Sequence, residues 1–344
     1  MQQSKTVAGQ PRPYDRHYVA MVTPFDADTL DVDEHALRTL VRSYLTDQLI
    51  ADGIAIIVNA EAGESLYLSR AEMQKSVAIT LEETQGRIPV FAGAIALRTE
   101  DIVQTARDAR DEGADGIFAM PPIGSADITL NWDSIGYPEV FLDVLSAIDD
   151  AVNLPLIVHP TVAPKPKYGV GLPVEPSLLI VSKIDNVVGW KMTYSWEGWR
   201  AIGAAFRNMD RHISILGAGA HKFHEALAYD LLDGTATASF CYAQDEMLEH
   251  VRAYQRGDTA EALRLWTSGL VQLHSLVYSE PTRLHIRYKL GAWIHGTIPN
   301  PVMRPPMPRP RRAEAIALRA AMQAANITTI DDEHFDDGLQ KFTS

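Results

Sequence analysis

The chain has 344 residues, 46% of them hydrophobic, and a formal net charge of −13. That size and apolar content suit one large α/β unit with an addition, and the negative charge argues against nucleic acid or an anionic membrane as the main partner. The one cysteine, Cys241, leaves no intrachain disulfide framework, which fits a reducing compartment.

The first residues, MQQSKTVAGQPRPY, hold no apolar stretch of the signal-peptide kind. Residues 1–16 are expected to form a flexible arm. No run is long and apolar enough to span a membrane, so a cytoplasmic location is expected. Eight short β-rich runs follow, at 18–25, 53–60, 88–94, 115–122, 154–160, 186–192, 212–218 and 234–240. Stretches between them, such as DEHALRTLVRSYLTDQ and RTEDIVQTARDARDEGA, place apolar residues at i, i+3, i+4 and i+7. That spacing predicts amphipathic helices. Asp33 and Thr99 stand where N-caps belong, and Gly113 where a helix ends.

This alternation predicts an α/β fold, a (β/α)8 TIM barrel over 17–245. An open doubly wound sheet is the competitor, but the G-x-G-x-x-G turn that usually marks it is missing after the first run. Helical patterns fill 246–330, a C-terminal helical region split by IPNPVMRPPMPRPRR, which reads as an extended connector. The tail 331–344 is acidic and expected to be loose.

In such a barrel, chemistry sits at the C-terminal ends of the strands. Thr23, Asn59, Glu61, Gly93, Pro121, His159, Lys191, Gly217, His221 and Tyr242 are placed there. Lys191, within NVVGWKMTYS, closes an apolar run. A lysine at that point is either a surface charge with its head in water or an amine whose pKa burial lowers. A neutral amine attacks a carbonyl and forms an imine, which serves as an electron sink.

Four stretches in order, VTPF, AGES, GADGIFAMPP and GWK, give the chain a resemblance to the dihydrodipicolinate synthase / N-acetylneuraminate lyase family over about 17–326. The resemblance implies a (β/α)8 barrel, a class I Schiff-base mechanism, usually a homotetramer, and the imine on Lys191. It also places Thr23 near the lysine. Three departures stand at the barrel mouth. The family's GTTGE loop, which holds a 2-oxo acid carboxylate, is AEAGE here, so Glu61 and Ala62 replace two hydroxyl residues before Gly63. The tyrosine expected after strand five is His159, and PYY after strand four is PPI, 121–123.

His159, with an ordinary pKa near neutrality, takes the proton-moving role, or else caps its strand. Glu61, Ala62, Gly63, Thr23, Gly217 in the glycine-rich LGAGAH turn, and Tyr242 as a substitute phenol are the candidate substrate contacts. His221 and His224 are spaced to share a helix face and a metal. The leading expectation is a Schiff-base lyase, of aldolase or dehydratase type, acting on pyruvate, another 2-oxo acid or a related carbonyl compound. The alternatives are a metal-dependent aldolase using His221 and His224, and a non-catalytic metabolite binder. No cofactor is expected. The partners expected are the small-molecule substrate and further copies of the chain, as a tetramer or dimer.

Overall fold

A strand shorter than the run that announced it falls at each of the eight predicted runs, the first beginning one residue before its run, at His17. The computed structural model describes residues 12–120 and 133–344. The strands are β1 (His17–Ala20), β2 (Ile54–Val58), β3 (Val90–Ala94), β4 (Gly116–Ala119), β5 (Leu156–Val158), β6 (Thr161–Lys165), β7 (Gly169–Gly171), β8 (Val187–Met192), β9 (Ser214–Gly217) and β10 (Gly234–Thr237). Eight of these close into a parallel barrel in the order β1-β10-β9-β8-β5-β4-β3-β2. β6 and β7 form a separate antiparallel hairpin just past β5. The barrel strands are buried along nearly their whole length because helices cover them outside and side chains fill the inside; all five residues of β2 are buried and apolar. β1 ends at Ala20, and the Met21 N–H still donates to Ile57 O at 3.0 Å.

Asp33 caps the helix Glu34–Ser43 through the Ala36 N–H, as its position predicts. Thr99 does not cap. It is the first residue of the helix Thr99–Glu112, and Arg98 precedes it without a side-chain cap. Gly113 ends that helix at φ 104°, a conformation costly for any residue with a Cβ.

Past the barrel, the helices Gln244–Gln255, Thr259–Leu265, Val271–Tyr278, Leu284–His295 and Arg312–Ala324 build the C-terminal region. Two expectations fail at the ends. The acidic tail is not loose: Asp332–Phe342 is a helix capped by Asp331, with Phe335 stacked on Trp293 at 5.6 Å and Leu339 buried. The arm is fixed from Arg12 onward, since Asp15 accepts from His212 Nε2 and Ser214 Oγ, both at 2.7 Å. Residues 1–11 of that arm, with Pro121 and the rest of PPI, lie outside the described residues.

Candidate active site

The strand ends open into a cavity of about 550 Å³ lined by Glu61, Ala62, Met120, His159, Lys191 and Thr193, with walls from the hairpin and the C-terminal helices. Lys191 is 8% exposed and its Nζ lies 5.2 Å from the centre of the Phe118 ring. Burial lowers its pKa to about 8, against the opposing pull of Glu61. Among the described residues no group bonds to this amine. A lone pair can therefore face the cavity once the proton leaves.

His159 follows β5 and is almost fully buried, its ring stacked on Phe118 at 5.6 Å. Nε2 lies 2.9 Å from Thr193 Oγ1, and Nδ1 lies 3.0 Å from Glu61 Oε2. The second contact is out of line with an N–H on Nδ1, so it acts through charge more than as a formed hydrogen bond. Glu61 only accepts, so the proton of the neutral ring belongs on Nδ1, and Nε2 accepts from Thr193. Burial, then the Lys191 charge, lower His159 to about 4 against the pull of Glu61. The ring is thus neutral at pH 7, well below the near-neutral value expected from residue type. Burial tends to raise Glu61, but His159, Lys191 and His285 hold its carboxyl below the usual range. The carboxylate stays wet, since 26% of its side chain remains open.

The loop carrying Glu61 is locked from behind. Glu64 adopts φ 58°, a left-handed conformation rare for a residue with a side chain. Its carboxylate accepts from Lys289 Nζ at 2.6 Å and from the Arg304 N–H at 2.9 Å. Lys289 lies on the helix Leu284–His295, and Arg304 in the proline-rich connector, so the connector also anchors the loop.

Several predicted contacts fall elsewhere. Ala62 does line the cavity, but Gly63 does not: a Cβ there would lie 2.7 Å from Met21 O and 2.9 Å from Thr23 Oγ1. Thr23 lines no part of the cavity and donates to Gly63 O at 2.7 Å, supporting the loop rather than the substrate. Gly217 faces the helical shell, where a Cβ would meet Leu232 and Phe223; its neighbours Ala218 and Gly219 line the cavity instead. Tyr242 is fully buried against Gly291 and donates to Ser239 Oγ at 3.2 Å. Asn59, on the way out of β2, donates to Met73 O at 2.9 Å, and Gly93 packs against the Asn59 backbone.

The tyrosines lining the cavity are Tyr194, whose hydroxyl donates to Leu172 O at 3.0 Å, Tyr278 and Tyr288. Tyr288 donates to Tyr278 at 2.7 Å, and Tyr278 to Ala218 O at 2.6 Å. His285, also on the cavity, comes from the same helix as Tyr288. The residues His285, Tyr288 and Lys289 follow the i, i+3, i+4 spacing in LHIRYKLGAWIH; a polar set inside so apolar a helix was the sequence signal for them.

His221 and His224 do not share a metal. His221 lines the cavity beside Tyr278, whereas His224 turns away, with Nδ1 3.0 Å from His250 Nε2 and its ring on Trp266. Among the described residues one cluster has metal-ligating types, Asp15, His212 and Asp233. It lies elsewhere, and its carboxylates are already taken by Ser214, Arg207 and the Ile215 N–H.

The Dihydrodipicolinate synthetase family matches this chain over residues 13–325. The 4-hydroxy-tetrahydrodipicolinate synthase of Bradyrhizobium diazoefficiens is 27% identical over 316 residues, covering 90% of this chain and 96% of that one. In fold, the chain is similar to dihydrodipicolinate synthase from Aquifex aeolicus, with a TM-score of 0.74 at 23% identity over 92% of this chain and 99% of that one. It is equally similar to YagE of Escherichia coli K12, solved in complex with pyruvate, with a TM-score of 0.75 at 18% identity over 92% and 99% of the two chains. With its closed barrel, its C-terminal helices and a match over nearly its whole length, the chain belongs to the dihydrodipicolinate synthetase family, a family of class I aldolase-like lyases.

Proposed function

We propose that the chain is a Schiff-base lyase whose Lys191 forms an imine with a 2-oxo acid or related carbonyl compound. The observation that carries this reading is the Lys191 amine itself: buried, without a bonded partner among the described residues, and open to the cavity. The pyruvate bound in the E. coli relative supports a 2-oxo acid as the carbonyl partner.

The neutral amine adds to the carbonyl carbon, and loss of water, with one proton taken up from solvent, leaves a protonated imine. A bond to the neighbouring carbon then breaks, and its electron pair moves into the iminium to give an enamine. In a retro-aldol cleavage the other fragment leaves as an aldehyde, and His159 takes the proton from its hydroxyl. In a dehydration, His159 first takes the proton from the carbon beside the iminium, and the hydroxyl on the next carbon then leaves as water with that proton returned by His159. Glu61 stabilises the imidazolium formed in either case, at 3.0 Å from Nδ1.

The loop bearing Glu61 lacks the hydroxyls expected to cradle a carboxylate, and the walls include Val162, Val170, Met192 and Leu284. These favour a substrate larger than pyruvate, with an apolar portion towards the hairpin. No helix among the described residues is long and apolar enough to cross a membrane. A cytoplasmic homo-oligomer, tetramer or dimer, completes the reading.

Incubation with a panel of 2-oxo acids and borohydride tests it. The expected result is one substrate-derived mass on Lys191, absent in Lys191→Ala. A wild-type protein left unmodified across the panel overturns it.

A further inference from the structure

Both ring nitrogens of His159 face protein groups. Nε2 lies 2.9 Å from Thr193 Oγ1, and Nδ1 lies 3.0 Å from Glu61 Oε2. The Phe118 ring stacks on the imidazole, and 3% of the side chain is exposed. A substrate in the cavity therefore meets Thr193 or Glu61 before it meets a nitrogen of His159. A base takes a proton within hydrogen-bond reach, directly or through one intervening group.

Thr193 fits the place of that group. It is half-buried, lines the cavity and stands two residues past the nucleophile, with its N–H donating to Lys191 O at 3.0 Å. Among the described residues, Oγ1 bonds to His159 and to nothing else. A hydroxyl donates once and accepts twice, so Oγ1 can donate to Nε2 and still accept from the cavity side. Other hydroxyls on the wall end on backbone carbonyls, which do not take up a proton. Tyr194 donates to Leu172 O, Ser195 to Lys167 O, and Tyr288 through Tyr278 to Ala218 O. Thr193 ends instead on an imidazole that is neutral at pH 7 and faces a carboxylate.

We propose that Thr193 is a catalytic residue of this site, its hydroxyl carrying protons between the substrate and His159. The proton on the carbon beside the iminium passes to Thr193 Oγ1 as the hydroxyl's own proton moves to His159 Nε2. The electron pair of the broken C–H bond enters the iminium and gives the enamine. The imidazolium faces the Glu61 charge, and the hydroxyl ends as it began. A substrate hydroxyl gives up its proton, or regains it, along the same path. The inference rests on the imine reading of Lys191 and adds the route of the proton to it.

The test compares two readouts on the full chain with pyruvate, 2-oxobutanoate and 2-oxoglutarate. Borohydride trapping reports the imine. Loss of C3 protons in deuterium oxide, followed by NMR at saturating acid, reports the enamine. For the acid that wild type traps best, Thr193→Val should slow C3 exchange by about a hundredfold or more and move the half-trapping concentration by less than about threefold. Thr193→Ser, which keeps the hydroxyl, should stay within about tenfold of wild-type exchange. Exchange in Thr193→Val near the wild-type rate overturns the proposal. So does a loss of trapping equal to the loss of exchange, or a serine variant as slow as the valine one. A wild type that traps an acid but exchanges none of its C3 protons overturns it as well. If wild type traps none of the three, the imine reading fails and the relay falls with it.

Discussion

Lys191 and Lys289 are both buried, and burial lowers both to about 8. What separates them is what each amine touches. Lys289 donates to Glu64 at 2.6 Å and lies 3.9 Å above the Phe25 ring, with both members of the pair 1% exposed. Its lone pair is held as an N–H bond to a carboxylate, and it lines no cavity. Lys191 has the cavity and no such partner, with Glu61 acting on it only through charge. Burial alone does not make a nucleophile. Burial without an ion pair, next to space for a carbonyl, does.

The largest expected effect comes from breaking the paired lysine. Lys289→Met leaves Glu64 as an uncompensated buried charge, and should cost about 3–5 kcal/mol of stability in denaturant titrations at pH 7. The double variant Lys289→Met with Glu64→Met should recover most of that loss. Lys191→Met should do the opposite, gaining on the order of 1–3 kcal/mol at pH 7. The sign follows from linkage. The folded-state pKa of Lys191, about 8, lies below its ordinary 10.5, so the folded chain bears the full penalty below pH 8. The penalty fades as pH rises from 8 to 10.5, and the gain from Lys191→Met should fade with it. Equal destabilisation by the two single variants would erase the contrast.

A smaller effect sharpens the comparison through pH. Imine formation needs the neutral amine, so trapping at Lys191 in fixed-time borohydride quenches should rise with pH and level off above about 8. An ordinary surface lysine would reach that plateau only above about 10.4. His159 stays neutral down to about 4, so it should add no inflection between pH 5 and 7. A trapping midpoint above 10 would return Lys191 to the class of solvated surface amines.

The barrel was legible because its evidence is repetitive: eight apolar runs, each followed by a helical period, survive errors of several residues at each boundary. The hairpin of β6 and β7 was not, because Pro164 and Pro166 hide it; neither can donate to a ladder, and only Thr161↔Gly171 and Lys165↔Gly169 stand as paired positions. The tail was misread by its charge. Phe335, Leu339 and Phe342 keep the i, i+4, i+7 spacing of a docking helix among the acids. At the mouth, Lys191 near the end of β8 and His159 directly after β5 both line the cavity, since strand direction sets where they point. Gly217 was misplaced by one or two residues of turn, enough to swing a side chain from cavity to shell, and Tyr242 stands four residues past Ala238, where the segment has already left the cavity. Tyr278, Tyr288 and His285 reach the site from distant helices, a closeness that only tertiary packing produces.

The smallest expected effect concerns Thr23. Its hydroxyl reaches Gly63 O at 2.7 Å and stops there, under the loop that presents Glu61 and Ala62. Thr23→Val keeps the shape and deletes that hydrogen bond. It leaves a buried carbonyl short of a donor, so stability should fall by about 1 kcal/mol. Because Glu64 still holds the loop through Lys289 and Arg304, the half-trapping concentration of the preferred acid should move less than about twofold, within the reach of one lost hydrogen bond. A threonine that touched the substrate would give the reverse pattern, a tenfold or greater shift in trapping with little change in stability. The two readouts together therefore separate a residue that supports the loop from one that serves the chemistry, the same distinction that divides Lys289 from Lys191.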